Sequence, residues 1–233
     1  MNKHTCKEKS LKFWREWAKP LLVVLLLTGA FRSAVADWND VPTGSMKPTI
    51  LEGDRILVNK LSYDLKIPFT RIHLATWADP KRGDIVVFFS PADEIRLVKR
   101  VIGLPGDRIE LRENQLFVNG EPASYRSLEG NISNQVNLDE RSLHFFAWEE
   151  FGESKHPVMS TPQIHAMRSF QPITVPEDCY FVMGDNRDNS KDSRYIGSIS
   201  RDRILGRATR VVLSVNPKSY YSPRWKRFFS ALP

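Results

Sequence analysis

Three short stretches of this 233-residue sequence carry side chains that can do chemistry. The first is Val41-Pro-Thr-Gly-Ser-Met-Lys-Pro-Thr-Ile50. Ser45 stands there between Gly44 and Pro48, on constrained backbone that can hold a hydroxyl out toward a substrate. The pattern is not a GxSxG elbow, and a serine in such a turn is far more often structural than catalytic. The second is Arg96-Leu-Val-Lys-Arg-Val-Ile-Gly-Leu-Pro-Gly-Asp107, with Lys99 inside an apolar run. On a solvated strand edge Lys99 would be an ordinary cation. Buried, its ammonium is disfavoured and its neutral amine becomes available as a base. Moving a lysine pKa from about 10.4 to about 8 takes roughly 3 kcal/mol of differential destabilisation of the charged form. The third is Gly184-Asp-Asn-Arg-Asp-Asn-Ser-Lys-Asp-Ser-Arg-Tyr-Ile-Gly197. It is dense in side chains that hydrogen-bond backbone. As a calcium loop counted from Asp185 it fails, with Arg187 at position 3, no Gly at position 6 and no Glu at position 12. As a rigid scaffold it is coherent: its carboxylates can pair with Arg187, Arg194 or Arg100, and Ser190 can orient a neighbour.

The five histidines (His4, His73, His144, His156, His165) form no HExxH or other metal spacing, and the two cysteines, Cys6 and Cys179, form no CxxC. No metal site is expected from these spacings. A Ser-His-Asp triad is defined by geometry rather than spacing, but none of the histidines lies in a cluster as distinctive as the three above.

The elements that must position these groups read as β-strands. Arg55–Val58, Asp84–Phe89, Leu97-Val98 with Val101-Ile102, Arg108–Leu111, Gln115–Val118, Cys179–Met183 and Ile204–Val215 are rich in β-branched and aromatic residues. Arg112-Glu-Asn114 and Asn119-Gly120 are turn candidates. No long segment of helical period follows residue 40. Residues 121–175 are more polar, with a Ser/Asn-rich stretch from Ser127 to Ser142, and look like an insertion.

Apolar residues make up 41% and charged residues 26%, enough for a folded core. The formal net charge of +7 is uneven: residues 1–20 hold six Lys/Arg against two Glu, a net of +4. That distribution argues against a nucleic-acid-binding face and for a basic tail beside a membrane. The apolar run Leu21–Phe31 supports two readings. It is short for a hydrocarbon layer of about 30 Å, and with Ala34-Val35-Ala36 it resembles a cleavable secretion signal. Alternatively it is a retained anchor starting near Phe13-Trp14 and ending near Ala36, with Arg32 snorkelling outward. In both readings the basic tail is cytoplasmic and everything after residue 37 lies outside. Cys6 and Cys179 would then be separated by the membrane, so no disulfide is expected. The aromatic and cationic C-terminal stretch Tyr220–Phe229 is either a frayed tail or a segment resting on lipid headgroups.

Together, Pro42-Thr-Gly-Ser-Met-Lys-Pro-Thr49, Arg82-Gly-Asp-Ile-Val-Val-Phe88, Val98-Lys-Arg-Val-Ile-Gly-Leu-Pro-Gly-Asp107, Met183-Gly-Asp-Asn-Arg-Asp-Asn-Ser190 and Gly206-Arg-Ala-Thr209 resemble the sequence blocks of bacterial type I signal (leader) peptidases. The resemblance covers about residues 20–215 and is weakest in 121–175. It implies Ser45 as nucleophile and Lys99 as general base. Ser190 would orient the lysine amine, and Thr43 would complete an oxyanion hole with the Ser45 N–H. Arg100, Asp192 and Arg194 would form a supporting ion-pair network. It implies a mainly β fold: a transmembrane helix, then an antiparallel β catalytic domain with an inserted second β subdomain. The expected division is 1–19 basic tail, 20–36 anchor, 37–107 and 176–233 catalytic domain, and 108–175 insertion. The implied reaction removes signal peptides from exported preproteins after small residues (Ala-x-Ala), without metal or cofactor. Val41, Met46, Ile50 and Val98 would floor shallow pockets, and a signal-peptide end would add as a strand beside Asn39–Gly44 and Arg96–Lys99. The expected partners are preprotein signal peptides and membrane lipids. The resemblance also favours a retained, single-pass anchor with its N-terminus inside.

Three rivals differ in class or specificity: a Ser-Lys peptidase dedicated to one substrate, a self-cleaving repressor-type peptidase, and an inactive tethered β module that binds exported peptides. The repressor type requires a DNA-binding helical domain, which the first 40 residues do not offer.

Overall fold

The computed structural model describes residues 12–70, 72–128 and 143–233. The basic tail before residue 12, with Cys6, and most of the Ser/Asn-rich stretch lie outside those residues.

The chain enters as a helix running from Trp14 to Ala34, 21 residues long and mostly exposed. Its first turn, Trp14–Ala18, is of π type, and it continues as α1 (Lys19–Ala34). At 1.5 Å per residue it spans about 31 Å, long and apolar enough to cross a membrane. Its start at Trp14 coincides with the Phe13-Trp14 start of the retained-anchor reading, ahead of the 20–36 division. The unbroken apolar run is short, but the aromatic Trp14 and Trp17 extend the helix to a full crossing length.

Only Val35 separates α1 from β1 (Ala36–Asp40). The Val35 N–H donates to Phe31 O at 2.8 Å and its carbonyl accepts from Lys60 N at 3.0 Å. Arg32 crosses the same joint to pair with Asp37 at 2.6 Å. Then come β2 (Asp54–Asn59), the hairpin of β3 (Asp64–Lys66) and β4 (His73–Thr76), β5 (Ile85–Phe89) and β6 (Arg96–Gly103). Next are β7 (Arg108–Arg112), β8 (Gln115–Val118), β9 (Glu121–Pro122), β10 (Ser124–Ser127), β11 (Phe145–Phe151), β12 (Ser154–Ser160) and β13 (Phe170–Thr174). The chain closes with β14 (Cys179–Met183), a one-turn helix Ser193–Ile196, β15 (Ile199–Ser200), β16 (Ile204–Asn216) and β17 (Ser222–Pro223).

The main sheet has the order β1-β2-β16-β5-β6-β14-β15, antiparallel throughout, with β17 on the end of β16. Its central strand β5, Ile-Val-Val-Phe-Phe, is buried along nearly its whole length because sheet neighbours and both faces cover it. Residues 108–174 leave the main sheet between β6 and β14 and form two smaller ones, β13-β7-β8-β9 and β10-β11-β12. We propose that this excursion is the inserted subdomain. Its core is not separate: Ile109, Leu111, Leu116 and Val118 pack with Ile102 of β6 and Phe181 and Met183 of β14. Both turn candidates are tight hairpins with left-handed central residues, Glu113 and Asn114 (φ 46° and 65°) and Asn119 and Gly120 (φ 54° and 87°). That geometry matches the right-handed strand twist.

The C-terminal segment is not frayed. Arg227 donates to the buried Asp54 carboxylate, Val211 N donates to Ser230 O at 2.9 Å, and the Pro233 carbonyl accepts from Arg100 at 3.0 Å. Tyr220, Tyr221, Trp225 and Phe229 nevertheless point to solvent.

Ala36 is both the last residue of the Ala-x-Ala pattern and the first rung of β1, paired with Asn59. Cutting after it would separate Asp37 from the helix end that braces it. Mass spectrometry of protein extracted from membranes should therefore find the N-terminus uncut. A chain starting at Asp37 would show that the segment is a processed signal.

Candidate active site

Between β1 and β2 the chain makes a loop, 41–53, whose neck is closed by Val41 N to Asp54 O (2.9 Å) and Gly53 N to Val41 O (3.0 Å). Inside it, Ile50 N donates to Met46 O at 2.9 Å, and the side chains of Met46 and Ile50 plug into the core. These two anchors pin the loop by burial, so the intervening turn is fixed and Ser45 is left at its partly exposed edge. From below, buried Asp54 accepts Leu51 N at 2.8 Å and Arg227 Nη2 at 2.5 Å.

Lys99 projects from β6, opposite Val86 of β5. It is 2% exposed. Its Nζ donates to Ser45 Oγ at 2.7 Å and to Val98 O at 2.8 Å. Burial pulls its pKa down to about 8; Asp192 and Asp185 pull it up, and Arg194 pushes it down. Two residues 54 apart in sequence, a hydroxyl and a desolvated amine, thus share one hydrogen bond.

The Gly184–Arg194 segment locks this geometry. Asp185 takes a two-pronged bond from Arg100, Nε at 2.8 Å and Nη2 at 2.7 Å, with both side chains wholly buried. Thr49 Oγ1 also donates to Asp185. Asn186 clasps the serine loop twice, Nδ2 to Gly44 O at 3.0 Å and N to Ser45 O at 3.1 Å. Arg187 reaches into the 108–174 excursion and pairs with buried Glu149 at 2.6 and 2.7 Å. Burial would raise the Glu149 carboxyl, but Arg187 and His156 outweigh it and hold it well below the usual range. Asp188 binds Arg168 Nε at 3.0 Å and Thr161 N at 2.7 Å. Asp192 pairs with Arg194 at 2.8 Å and accepts Gly184 N at 3.0 Å. A Cβ on Gly184 would collide with Ser190 Oγ and with the Ser45 carbonyl, so only glycine lets this segment lie against the serine loop.

Of the residues singled out in the sequence, Ser45 and Lys99 are in contact. Arg100, Asp192 and Arg194 do not form one network. They belong to two separate pairs, Arg100 with Asp185 and Arg194 with Asp192. Ser190 is buried beside the Ser45 carbonyl, but its Oγ has no hydrogen-bond partner, and the contact with Lys99 is not made. The amine spends its second donor on the carbonyl of its own neighbour, Val98. Thr43 lies exposed on the loop, two residues before Ser45. Val41, Met46, Ile50 and Val98 meet in one cluster, where Met46 and Ile50 are 1% and 0% exposed and only Val98 is substantially open.

Sequence reasoning did not assign Asn186, Thr49, Glu149 or His156. His156 is buried against Glu149 at 3.2 Å; burial and the nearby Arg100 lower its pKa, against the pull of Glu149. It is remote from the Ser45–Lys99 bond in role, bracing Glu149 rather than touching either group. Among the described residues no three His, Cys, Asp or Glu side chains are grouped to hold a metal ion, and Cys179 is a free thiol.

Comparison with known proteins gives one family. The family model for signal peptidase, peptidase S26, matches residues 14–213. Signal peptidase I of Pseudomonas aeruginosa is 34% identical over 227 residues, spanning 91% of this chain and 77% of that one. Signal peptidase I P of Bacillus subtilis subsp. natto is 34% identical over 192 residues, 82% of this chain and 84% of its own. A solved signal peptidase I from Enterococcus faecalis V583 aligns with 57% of this chain and all of that one at 32% identity, with a TM-score of 0.35.

The depressed lysine pKa has a stability consequence. Below about pH 8 Lys99 is protonated in folded and unfolded chains alike, and the fold bears the whole cost of burying the ammonium. Between about 8 and 10.5 the folded form loses its proton first and stability recovers. Lys99→Met should therefore be more stable than the parent near pH 6, by up to about 3 kcal/mol, with the gap closing toward pH 10.5. Denaturant melts across that range check it. A variant no more stable than the parent at pH 6 would mean that the ammonium is not destabilised.

Proposed function

The chain belongs to the peptidase S26 family of signal peptidases, and from that membership we propose that Ser45 and Lys99 perform its catalysis as a two-residue dyad. As a family member it is a membrane-anchored serine protease that removes signal peptides from preproteins. The observation that carries the mechanistic reading is the 2.7 Å bond between Lys99 Nζ and Ser45 Oγ inside a site that excludes water from the amine. Once Lys99 is neutral, its lone pair accepts the Ser45 proton while Oγ attacks the scissile carbonyl carbon. Negative charge grows on the carbonyl oxygen, where the Ser45 N–H and the Thr43 hydroxyl would act as donors. Collapse of the tetrahedral species transfers the Lys99 proton to the departing amine and leaves an ester on Ser45. Water, activated by the same amine, then hydrolyses that ester. A lysine base has no tautomer to set, so no third acidic residue is required.

Two open strand edges supply a place for substrate. Among the described residues, β1 pairs only with β2, and the Arg96–Lys99 half of β6 pairs only with β5, because β14 engages β6 from Arg100 onward. Arg96 bridges the gap, donating to Asn39 Oδ1 at 3.0 Å. An extended signal-peptide end fits there as an added strand. The packed cluster of Val41, Met46, Ile50 and Val98 leaves little depth beneath it, which favours Ala at the two inward positions of Ala-x-Ala. Ser190, an orphan hydroxyl beside the site, would gain a partner by turning to the Lys99 amine, relieving a cost of about 1–3 kcal/mol. The reading requires neither metal nor cofactor. With Lys12, Arg15 and Lys19 flanking the helix start, the N-terminus is cytoplasmic and the β body faces the outer side of the bacterial plasma membrane.

Ser45→Ala and Lys99→Met should each abolish cleavage of a preprotein or an Ala-x-Ala peptide while the fold persists. Parent activity should climb about tenfold per pH unit up to about pH 8 and then level off, because only the neutral amine works. A rate already flat from about pH 5 would rule out Lys99 as base. Thr43→Val should lower kcat on the order of ten- to a thousandfold and Thr43→Ser should keep most of it. An unchanged kcat in Thr43→Val would remove Thr43 from the mechanism.

A further inference from the structure

The strand register gathers the starts of β1, β6 and β16 and the ends of β2 and β5 at one end of the main sheet, the end from which α1 departs. A cavity of about 370 Å³ opens there. Lys60, Lys66, Asp64 and Arg96 supply its polar wall, and Ala34, Phe69, Phe89 and Leu205 its apolar one. Phe69 leans on α1 at Gly29, and its N–H donates to Ser33 Oγ at 2.7 Å, so the β3–β4 hairpin and the helix end form one continuous rim.

Charge around this cavity does not balance. A single carboxylate, Asp37, serves Arg32 at 2.6 Å, Arg96 at 3.5 Å and Lys60 at 3.9 Å. Asp64 serves Arg201 at 2.9 Å and Lys66 at 3.6 Å, and Arg201 also reaches Asp79 at 3.2 Å. Among the described residues, five basic side chains thus meet four carboxylates, since Asp202 also acts on Lys66. The Lys60 and Lys66 side chains are only 11% and 10% exposed, so water screens their repulsion poorly. Burial lowers the pKa of both amines; Asp37 pulls Lys60 back up, Asp64 and Asp202 pull Lys66 back up, and neighbouring cations (Arg96, Lys66 and Arg32 at Lys60, Arg201 at Lys66) push them down again.

Each lysine also has a structural duty. Lys60 caps the C-terminus of α1, donating to Arg32 O at 2.8 Å and Ser33 O at 3.1 Å, and Lys66 donates to Ile204 O at 2.6 Å. An ammonium carries three donors. One on Lys60 remains after its two carbonyls, and one on Lys66 after Ile204 O and Asp64. A half-desolvated excess of cations with spare donors is an anion site, and its position at the membrane end of α1 selects the anion. We propose that this cavity holds the phosphate of an anionic phospholipid, with Lys60, Lys66 and Arg96 as donors and Phe69 against the lipid's glycerol and upper acyl region. The apolar rim favours a phosphate attached to a lipid over free phosphate. The proposal rests on α1 as membrane anchor and is independent of the Ser45–Lys99 chemistry.

Native mass spectrometry of the full-length protein in mild detergent, titrated with phosphatidylglycerol or phosphatidylcholine, tests it. The parent should prefer phosphatidylglycerol by roughly fivefold, the scale for one unbalanced surface cation. Lys66→Gln should weaken phosphatidylglycerol binding about fivefold and leave phosphatidylcholine unchanged, and Lys66→Arg should restore it. Ser45→Ala should bind like the parent, which separates this site from catalysis. Equal binding of the two lipids, or undiminished phosphatidylglycerol binding in Lys66→Gln, overturns the proposal. So does inorganic phosphate that displaces the lipid as effectively as soluble lipid does. Should Lys66→Gln fail to fold, hydrogen exchange on the unaltered protein decides. Amides of residues 60–70 should be slowed in phosphatidylglycerol nanodiscs relative to phosphatidylcholine ones, and identical exchange in both overturns the assignment.

Discussion

Keeping water away from one ammonium is the constraint on which the rest of this structure depends. Lys99 is enclosed by strands, yet two carboxylates, Asp185 and Asp192, lie close enough to stabilise its charged form and undo the effect of burial. Each of them is neutralised by its own guanidinium, Arg100 and Arg194. The pairs therefore do more than brace the site: they turn two nearby negative charges into short dipoles, and desolvation remains the dominant influence on the amine. Buried ion pairs are weak contributors to net stability because the cost of removing charges from water offsets their attraction. Here their value is electrostatic insulation and geometric definition.

The same logic ties the 108–174 excursion to the site. Glu149 on β11 and Arg187 in the Gly184–Arg194 segment form a wholly buried pair, with His156 of β12 against the carboxylate. Breaking one partner of such a pair strands a charge in the interior, at a cost of about 3–5 kcal/mol. The small sheets consequently cannot drift from that segment, and the clasp of Asn186 on the Gly44 and Ser45 carbonyls passes that rigidity to the serine.

Much of this was legible in the sequence, for reasons that differ by residue. Runs such as Ile-Val-Val-Phe-Phe in β5 and Cys-Tyr-Phe-Val-Met in β14 announce strands because their side chains suit a buried pleated surface. Asn119-Gly120 announces a tight hairpin because both residues tolerate positive φ. Ser45 and Lys99 stood out through the company of their neighbours. By contrast, β11 and β12 were hard to see: β12 carries Pro157, tolerable because β12 ends its sheet and its far side is bridged at Met159, to Asn186, rather than at the proline, and β11 mixes Trp148 with Glu149 and Glu150. Partner choice was also illegible. Nothing local in Arg187 points to Glu149, 38 positions earlier, or in Thr49 to Asp185, 136 positions later, since both bonds exist only after the sheets close. The missing partner of Ser190 depends on a rotamer, which no sequence pattern encodes.

The joint at Val35 has a metrological meaning. With one residue between helix and strand, and both of its backbone groups bonded, there is no slack between the bilayer and the catalytic edge. Position along β1 then sets the distance from the helix end along the strand, in steps of about 3.3 Å per residue. The anchor then serves as a datum plane and the strand as its graduated scale. Under the proposed reading, the height at which a peptide bond is presented would matter alongside the size of the side chains beside it. Tilt propagates through the same joint: a thicker or thinner bilayer that leans α1 over also swings the scale, so membrane thickness enters the calibration of the cut.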